Sequence, residues 1–334
     1  MNVTYHNLAA MEEGGETMRL ELPPETEGWR LDQALAHLLP EYTRTQIQGW
    51  LKAGLALVDG QPARGSQRVL GMERVHLRIP PPQPGAWGAE EIPLDVYYED
   101  EDILVLNKPA GLVAHPAPGN PEGTLLNAIL HHAPACATLP RAGIVHRLDK
   151  DTSGLLVVAK SEAARQDLVE QLAAREVTRE YQALVVGAMT GGGRIEAPIG
   201  RHPVDRKRMA VTGSGKTAVT HYRIAERFPR HTLVRVRLET GRTHQIRVHM
   251  AHIHHPLVGD PVYGGRQIVP PGLDGGEQAQ WRAFRRQALH AARLAFLHPR
   301  TGERVAWEAP LPADFEMMLD LLRRSRERTE KRPD

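Results

Sequence analysis

Residues 155–159, Leu-Leu-Val-Val-Ala, are an apolar, largely branched run bounded by Gly154 and Lys160, and a run of that length and kind reads as a buried strand. Immediately before it stand His146-Arg147-Leu148-Asp149-Lys150-Asp151-Thr152-Ser153, so that Asp149 is a carboxylate between two cations at the rim of a core. Burial alone favours the neutral acid, whereas a neighbouring cation favours the charged form; the surrounding cations therefore bear on whether Asp149 is an ionised nucleophile or base. A lone aspartate in such a place is more often a structural ion pair or a cap. The rest of the chain decides between these readings.

With 334 residues there is room for two domains, and 41% hydrophobic with 25% charged residues is the composition of a soluble globular protein. No apolar run approaches membrane-spanning length, and the N-terminus is acidic where a secretory signal is basic and then apolar, so a cytoplasmic location is expected, without a membrane partner. The single Cys136 excludes an internal disulfide and a cysteine zinc cluster. A net charge of +2 does not by itself indicate nucleic acid, but basic residues crowd 201–208 and 235–247 while acids gather in 1–27 and 90–102.

Residues 1–27 read as a flexible acidic tail. From Trp29 the pattern sharpens. Leu31, Leu35, Leu38 and Leu39 share a helical face, Thr43 can cap a second helix carrying Ile47, Trp50 and Leu51, and strands follow at 55–58 and 74–79 around an Asp59-Gly60 turn. This module, 28–80, places Arg44 and Arg64 among cations that suit a phosphate backbone. Arg30-Leu31-Asp32-Gln33-Ala34-Leu35, Thr43-Arg44-Thr45-Gln46-Ile47 and Gly54-Leu55-Ala56-Leu57-Val58-Asp59-Gly60 are similar to the S4-like RNA-binding domain. A Pro/Gly linker follows at 81–89.

The second domain is expected over 90–322, with a charged tail at 323–334. Its strands are predicted at 102–107, 155–159, 181–186 and 233–238, with helices opening at Thr124, at Ser161 as a cap, and after Gly241. Lys108 and His115 are chemically tempting, but in such turns a lysine is usually solvated and a histidine structural. Tyr181 falls at the expected helix-to-strand junction, where it can fill core or stack on a flat ring. Arg201, Arg206, Lys207 and Arg208 suit a basic loop that tracks phosphates. Gly213-Ser214-Gly215-Lys216-Thr217 ends like a phosphate-binding loop, yet Ala210 stands where the first glycine is needed and a strand pattern follows, so it reads as a turn. The histidines 244, 249, 252, 254 and 255 have neither a carboxylate at zinc-protease spacing nor a cysteine, and no metal site is assigned. Residues 266–285 read as a polar loop without a parallel.

Taken together, His146-Arg147-Leu148-Asp149-Lys150-Asp151-Thr152-Ser153-Gly154, Asn107-Lys108-Pro109-Ala110-Gly111, Arg179-Glu180-Tyr181 and Thr240-Gly241-Arg242-Thr243-His244-Gln245-Ile246-Arg247-Val248-His249 resemble the RluA-type pseudouridine synthases. The S4-like module and the stretch from His252 to Arg266 further resemble their RluD branch. The resemblance implies an α+β fold, a mixed and mainly antiparallel sheet flanked by helices. It implies Asp149 as the essential catalytic residue, Tyr181 stacking on the target base and moving a proton, Arg247 paired with the carboxylate, and Arg147 holding the flipped-out nucleotide. It also implies isomerisation of uridine in large-subunit ribosomal RNA, in a stem-loop at the subunit interface, by a monomer that takes naked RNA or an assembling subunit as its partner. No cofactor is required, because breaking an N-glycosidic bond and rejoining the uracil through carbon involves neither net redox change nor water. Two rival readings are an RNA-binding assembly factor without catalysis and a metallohydrolase built on the histidines.

Overall fold

The computed structural model describes residues 16–39, 42, 44–79, 87–116, 120–205 and 208–331. The chain divides into two compact units, Met1–Ala86 and Trp87–Asp334. The first contains β1 (Glu16–Glu21), α1 (Leu31–Leu38), α2 (Arg44–Lys52), β2 (Ala56–Val58), β3 (Gln61–Pro62) and β4 (Arg74–Ile79). Its four strands lie in the order β1-β4-β2-β3 and are all antiparallel. Leu31, Leu35, Ile47 and Leu51 pack from the two helices onto Ala56, Val75 and Leu77 of the sheet. Thr43, Pro80 and residues 81–86 of the expected linker lie outside the described residues.

The expected acidic tail needs correction. Residues 1–15 are not among those described, but β1 pairs with β4 from Glu16 opposite Ile79 to Glu21 opposite Arg74. The physical reason is a period of two: Met18, Leu20 and Leu22 join the core while Thr17, Arg19 and Glu21 face solvent. The surplus of acids in this segment masked the alternation.

The second unit is built on β5 (Asp95–Glu99), β6 (Ile103–Lys108), α3 (Leu125–His132), β7 (Ser153–Ala159), α4 (Glu162–Ala174), β8 (Thr178–Val186), β9 (Gly193–Glu196), β10 (Ile199–Arg201), β11 (Met209–Val211), β12 (Val219–Arg227), β13 (His231–Leu238), α5 (Gln245–His252), α6 (Gly275–Ala283), β14 (Leu289–Leu297), β15 (Arg304–Glu308) and α7 (Ala313–Glu330). Nine of these strands form one sheet in the order β5-β6-β7-β14-β8-β13-β12-β9, with β15 added to β14. Only the pairing of β7 with β14 is parallel, so the expected mixed, mainly antiparallel sheet is borne out. The β10–β11 hairpin stands apart as a two-stranded ribbon, and 213–217 is the predicted turn leading into β12.

The apolar run that opened the sequence is the interior strand β7, buried at every position. Leu156 and Val158 face one core layer with Leu125 and Ile129 of α3 and Ile246 and Met250 of α5. Leu155, Val157 and Ala159 face the other with Ala164 and Leu168 of α4. Burial on both faces is why the sequence shows a continuous apolar run here. Gly154 has φ +118°, and a Cβ there would overlap the backbone of Ala291, so the close approach of β7 to β14 requires glycine. Ser161 caps α4 as expected, its hydroxyl accepting from the Ala164 N–H at 3.2 Å.

Two further expectations change. Residues 266–285 contain α6, and Leu273, Trp281 and Phe284 bury themselves against Phe315, Met318 and Leu322 of α7. The charged tail expected from Arg323 is instead the continuation of α7 to Glu330, because Arg323 pairs with Glu226 and Arg328 with Glu277. No helix among the described residues is long and apolar enough to cross a membrane.

Candidate active site

The segment before β7 turns its carboxylate into a cleft of about 480 Å³ lined also from β8, the start of α5 and the end of α4. Asp149 is 18% exposed at its side chain, and its Oδ2 accepts from Arg247 Nη1 at 3.1 Å. Arg247 comes from the first turn of α5, only 6% exposed, and carries a second carboxylate: its Nε and Nη2 donate to Asp260 at 2.7 and 2.9 Å. Burial by itself weakens the guanidinium's hold on its proton, but the bonds to Asp260 and the charge of Asp149 outweigh it and the pKa is raised. Asp260, whose side chain is fully buried, is lowered despite its burial by the same pairing and by the N–H groups of Tyr263 and Val262. The order is therefore one cation fixed rigidly by one carboxylate and offered to a second.

The turn that aims Arg247 is tied down by Gln245. Its Oε1 accepts from Thr240 Oγ1 at 2.8 Å and from the Arg242 N–H at 2.9 Å, while its Nε2 donates to Val219 O and Thr220 Oγ1, both at 3.0 Å. Tyr263 packs against Arg247. Its ring lies 5.0 Å from the Arg247 guanidinium and 5.3 Å from that of Arg208, and its hydroxyl accepts from the Met209 N–H and is hydrogen-bonded to His244 Nδ1, each at 2.9 Å.

The loop carrying Asp149 is held from beneath by Lys108. This lysine is fully buried, and its Nζ donates to Pro109 O at 2.8 Å and to Leu112 O and Lys150 O at 2.9 Å. Burial brings its pKa down to about 7. It is neither solvated, as the turn suggested, nor open to the cleft. His146 is likewise structural: its Nε2 accepts from the Val157 N–H at 3.1 Å, and burial, with the charge of Arg179 added, lowers its pKa to about 3.

Tyr181 does not stand at a helix-to-strand junction. It is the fourth residue of β8, paired with Val236 on one side and Ala291 on the other, 6% exposed and forming part of the cleft wall. Burial raises its phenol pKa. Arg147 is exposed at the rim, beside His115, whose pKa is lowered to about 4 by burial and then by Arg141 and Arg147. Six arginines, 141, 147, 175, 179, 242 and 247, line the cleft against the carboxylates Asp149 and Glu239. Tyr181 and Asp149 line one cleft, so a flat ring lying on Tyr181 would be close to the carboxylate, with cations around it to receive phosphates.

Of the expected basic surface residues in the second unit, Arg201 and Arg208 are not among those lining that cleft. Arg201 ends β10 and Arg208 stands near the start of β11, while Arg206 and Lys207 lie outside the described residues. In the first unit Arg64 is exposed, and Arg44 shares the buried carboxylate of Asp32 with Arg30 and Gln48, at 2.9, 3.1 and 2.5 Å. Asp32 holds its proton only below about pH 2, because those bonds outweigh the burial that opposes them. Among the described residues no group of three or more His, Cys, Asp or Glu side chains is arranged to hold a metal ion. His249, for one, is bonded to Thr220 Oγ1 and Ala197 O.

Two site residues escaped the sequence reading. Asp260 was visible only as part of a turn, and the usable signal was its place before Pro261, where an aspartate accepts from its own turn's N–H groups and still presents oxygens elsewhere. Tyr263 had no signal beyond its position in the same turn.

Residues 102–252 match the family described as RNA pseudouridylate synthase, and 29–75 match the S4 domain. The chain is 56% identical over 307 residues to the ribosomal large subunit pseudouridine synthase D of Pseudomonas aeruginosa, covering 92% of this chain and 96% of that one. It is 53% identical over 297 residues to the protein of the same name from Escherichia coli K12, covering 89% and 91%. Among solved structures, human RNA pseudouridylate synthase domain containing 1 aligns with a TM-score of 0.51 at 29% identity, covering 67% of this chain and 86% of that one.

Proposed function

The chain belongs to the RNA pseudouridylate synthase family and is an RNA pseudouridine synthase, and from that premise we propose that it isomerises particular uridines of large-subunit ribosomal RNA, with Asp149 as the essential carboxylate. The observation that carries the assignment of Asp149 is its 3.1 Å bond to an arginine already fixed by Asp260, which holds this carboxylate in the cleft in the position a nucleophile or base requires.

The remaining roles follow from position. Tyr181 supports the face of the target uracil, and Arg147, at the rim, takes the phosphate or sugar of the nucleotide that has left its stack. The cleft cannot reach a stacked uridine, so the base is flipped out, at least cost from a loop such as a stem-loop at the subunit interface. The cations Arg44, Arg64, Arg201 and Arg208, with Arg206 and Lys207, supply affinity for the backbone. The relatives' names, which specify the ribosomal large subunit, support this substrate. The protein works as a cytoplasmic monomer on free RNA or on the assembling subunit, with no cofactor.

The test is pseudouridine mapping of ribosomal RNA from cells lacking the protein, complemented with wild type or Asp149→Ala. Particular uridines of the large-subunit RNA should lose the modification and regain it only with wild type. Restoration by the alanine variant would overturn the role of Asp149, and an unchanged map would overturn the substrate.

A further inference from the structure

Of the arginines that line the cleft, Arg179 is the one whose burial the fold does not explain. It is 8% exposed, its Nε is buried without a hydrogen-bond partner, and among the described residues no carboxylate lies within ion-pair distance of it. Arg247, buried in the same cleft, has two carboxylates. A guanidinium largely withdrawn from water with its Nε unbonded is unfavourable in the fold alone, which points to a partner supplied by a bound molecule.

Its placement indicates what arrives. In β8 residues 179 and 181 alternate onto the same face, about 7 Å apart at Cα, and both line the cleft. Gly241 leaves the room: a Cβ there would stand 2.8 Å from Arg179 Nη1. Arg179 thus shares the cleft wall with Tyr181 and is more buried than the exposed Arg147 and Arg242. A phosphodiester stays with the RNA backbone and meets those outer cations first, whereas a flipped base enters furthest.

We propose that Arg179 is a catalytic residue that bonds an exocyclic carbonyl oxygen of the target uracil and stabilises the negative charge that builds there during isomerisation. The assignment rests on the function proposed above and on Tyr181 as the wall for the base. When the C1′–N1 bond breaks, its electron pair stays with the uracil, and the charge is shared by N1, O2 and O4. Attack of Asp149 on the ring at C6 instead of the sugar would place charge on one of the same oxygens, O4. After the ring turns, C5 forms the new bond to C1′, which leaves a neutral ring still carrying its C5 proton; a base then takes that proton while N1 takes one up, restoring the conjugated ring. A preorganised donor aimed at developing charge in a water-poor site acts on such steps and not on the docking of the RNA.

The test uses the full chain and a ribosomal RNA fragment carrying tritium at uridine C5, which is released as the new bond is completed. Arg179→Met should slow single-turnover release by about 100-fold or more, leave the Kd for RNA within about twofold, and leave the thermal midpoint equal or raised, since no partner in the fold is lost. Arg179→Lys should recover part of the rate. An unchanged rate, a weaker Kd at an unchanged rate, or a lowered midpoint accompanying the loss of rate would each overturn the assignment, the second pointing to a phosphate anchor and the third to a structural residue. No release by the folded wild type would remove the functional reading and this assignment with it, whereas wild-type release matched by Arg179→Met removes the assignment alone.

Discussion

At the scale of single residues the site depends on Asp260 as much as on Asp149. Asp260→Ala leaves Arg247 buried with one partner, and it should destabilise the second unit by about 3–5 kcal/mol in urea unfolding, as well as reduce turnover. The buried histidines set the response to acid. His146 takes up a proton in the folded chain only near pH 3, against about 6.5 when unfolded, so between those values the unfolded chain binds more protons. Stability from His146 is therefore complete above pH 6.5 and lost as the pH falls toward 3; His290, His231 and His115, each lowered to about 4, act in the same sense. A thermal midpoint that does not fall between pH 6.5 and 4 would contradict these assignments. Asp149, Arg247 and Tyr181 were legible because they sit in motifs with a recognisable family pattern. Asp260 was not, because its partner lies 13 residues away on α5 and only the fold brings the two together.

Among the elements, β7 holds the arrangement in place, since its N-terminal end carries the Asp149 loop and its neighbour β14 fixes its height. Gly154→Ala would meet both the strained φ and the Ala291 backbone, and roughly 3 kcal/mol or more of stability should be lost, measurable as a lowered urea midpoint. Equal stability of the variant would show that the two strands can part without penalty. The interior strands were readable from sequence because burial on two faces leaves an unbroken apolar run. All of α6, read as loop, and the C-terminal end of α7 were not, and for α7 the reason is electrostatic: Arg323, Arg326 and Arg328 look like a solvated tail until Glu226 and Glu277 are known to be beside them. The strand β1 was hidden similarly, its alternation of Met18, Leu20 and Leu22 submerged in an acidic segment.

On the scale of the whole molecule a net charge of +2 conceals a cleft in which arginines outnumber acids. Affinity for RNA should therefore fall steeply with salt, the logarithm of the binding constant declining by about 0.7 for each phosphate engaged per tenfold increase in salt. Arg147→Ala should lessen that slope, and an unaltered slope would remove Arg147 from the phosphate contacts. The chemistry itself is most directly tested by tritium release from C5-labelled large-subunit RNA under single turnover, comparing wild type with Asp149→Asn. With RNA binding and thermal midpoint retained, the variant should lose at least about a thousandfold in rate; release within tenfold of wild type would contradict Asp149 as the group on which the isomerisation depends.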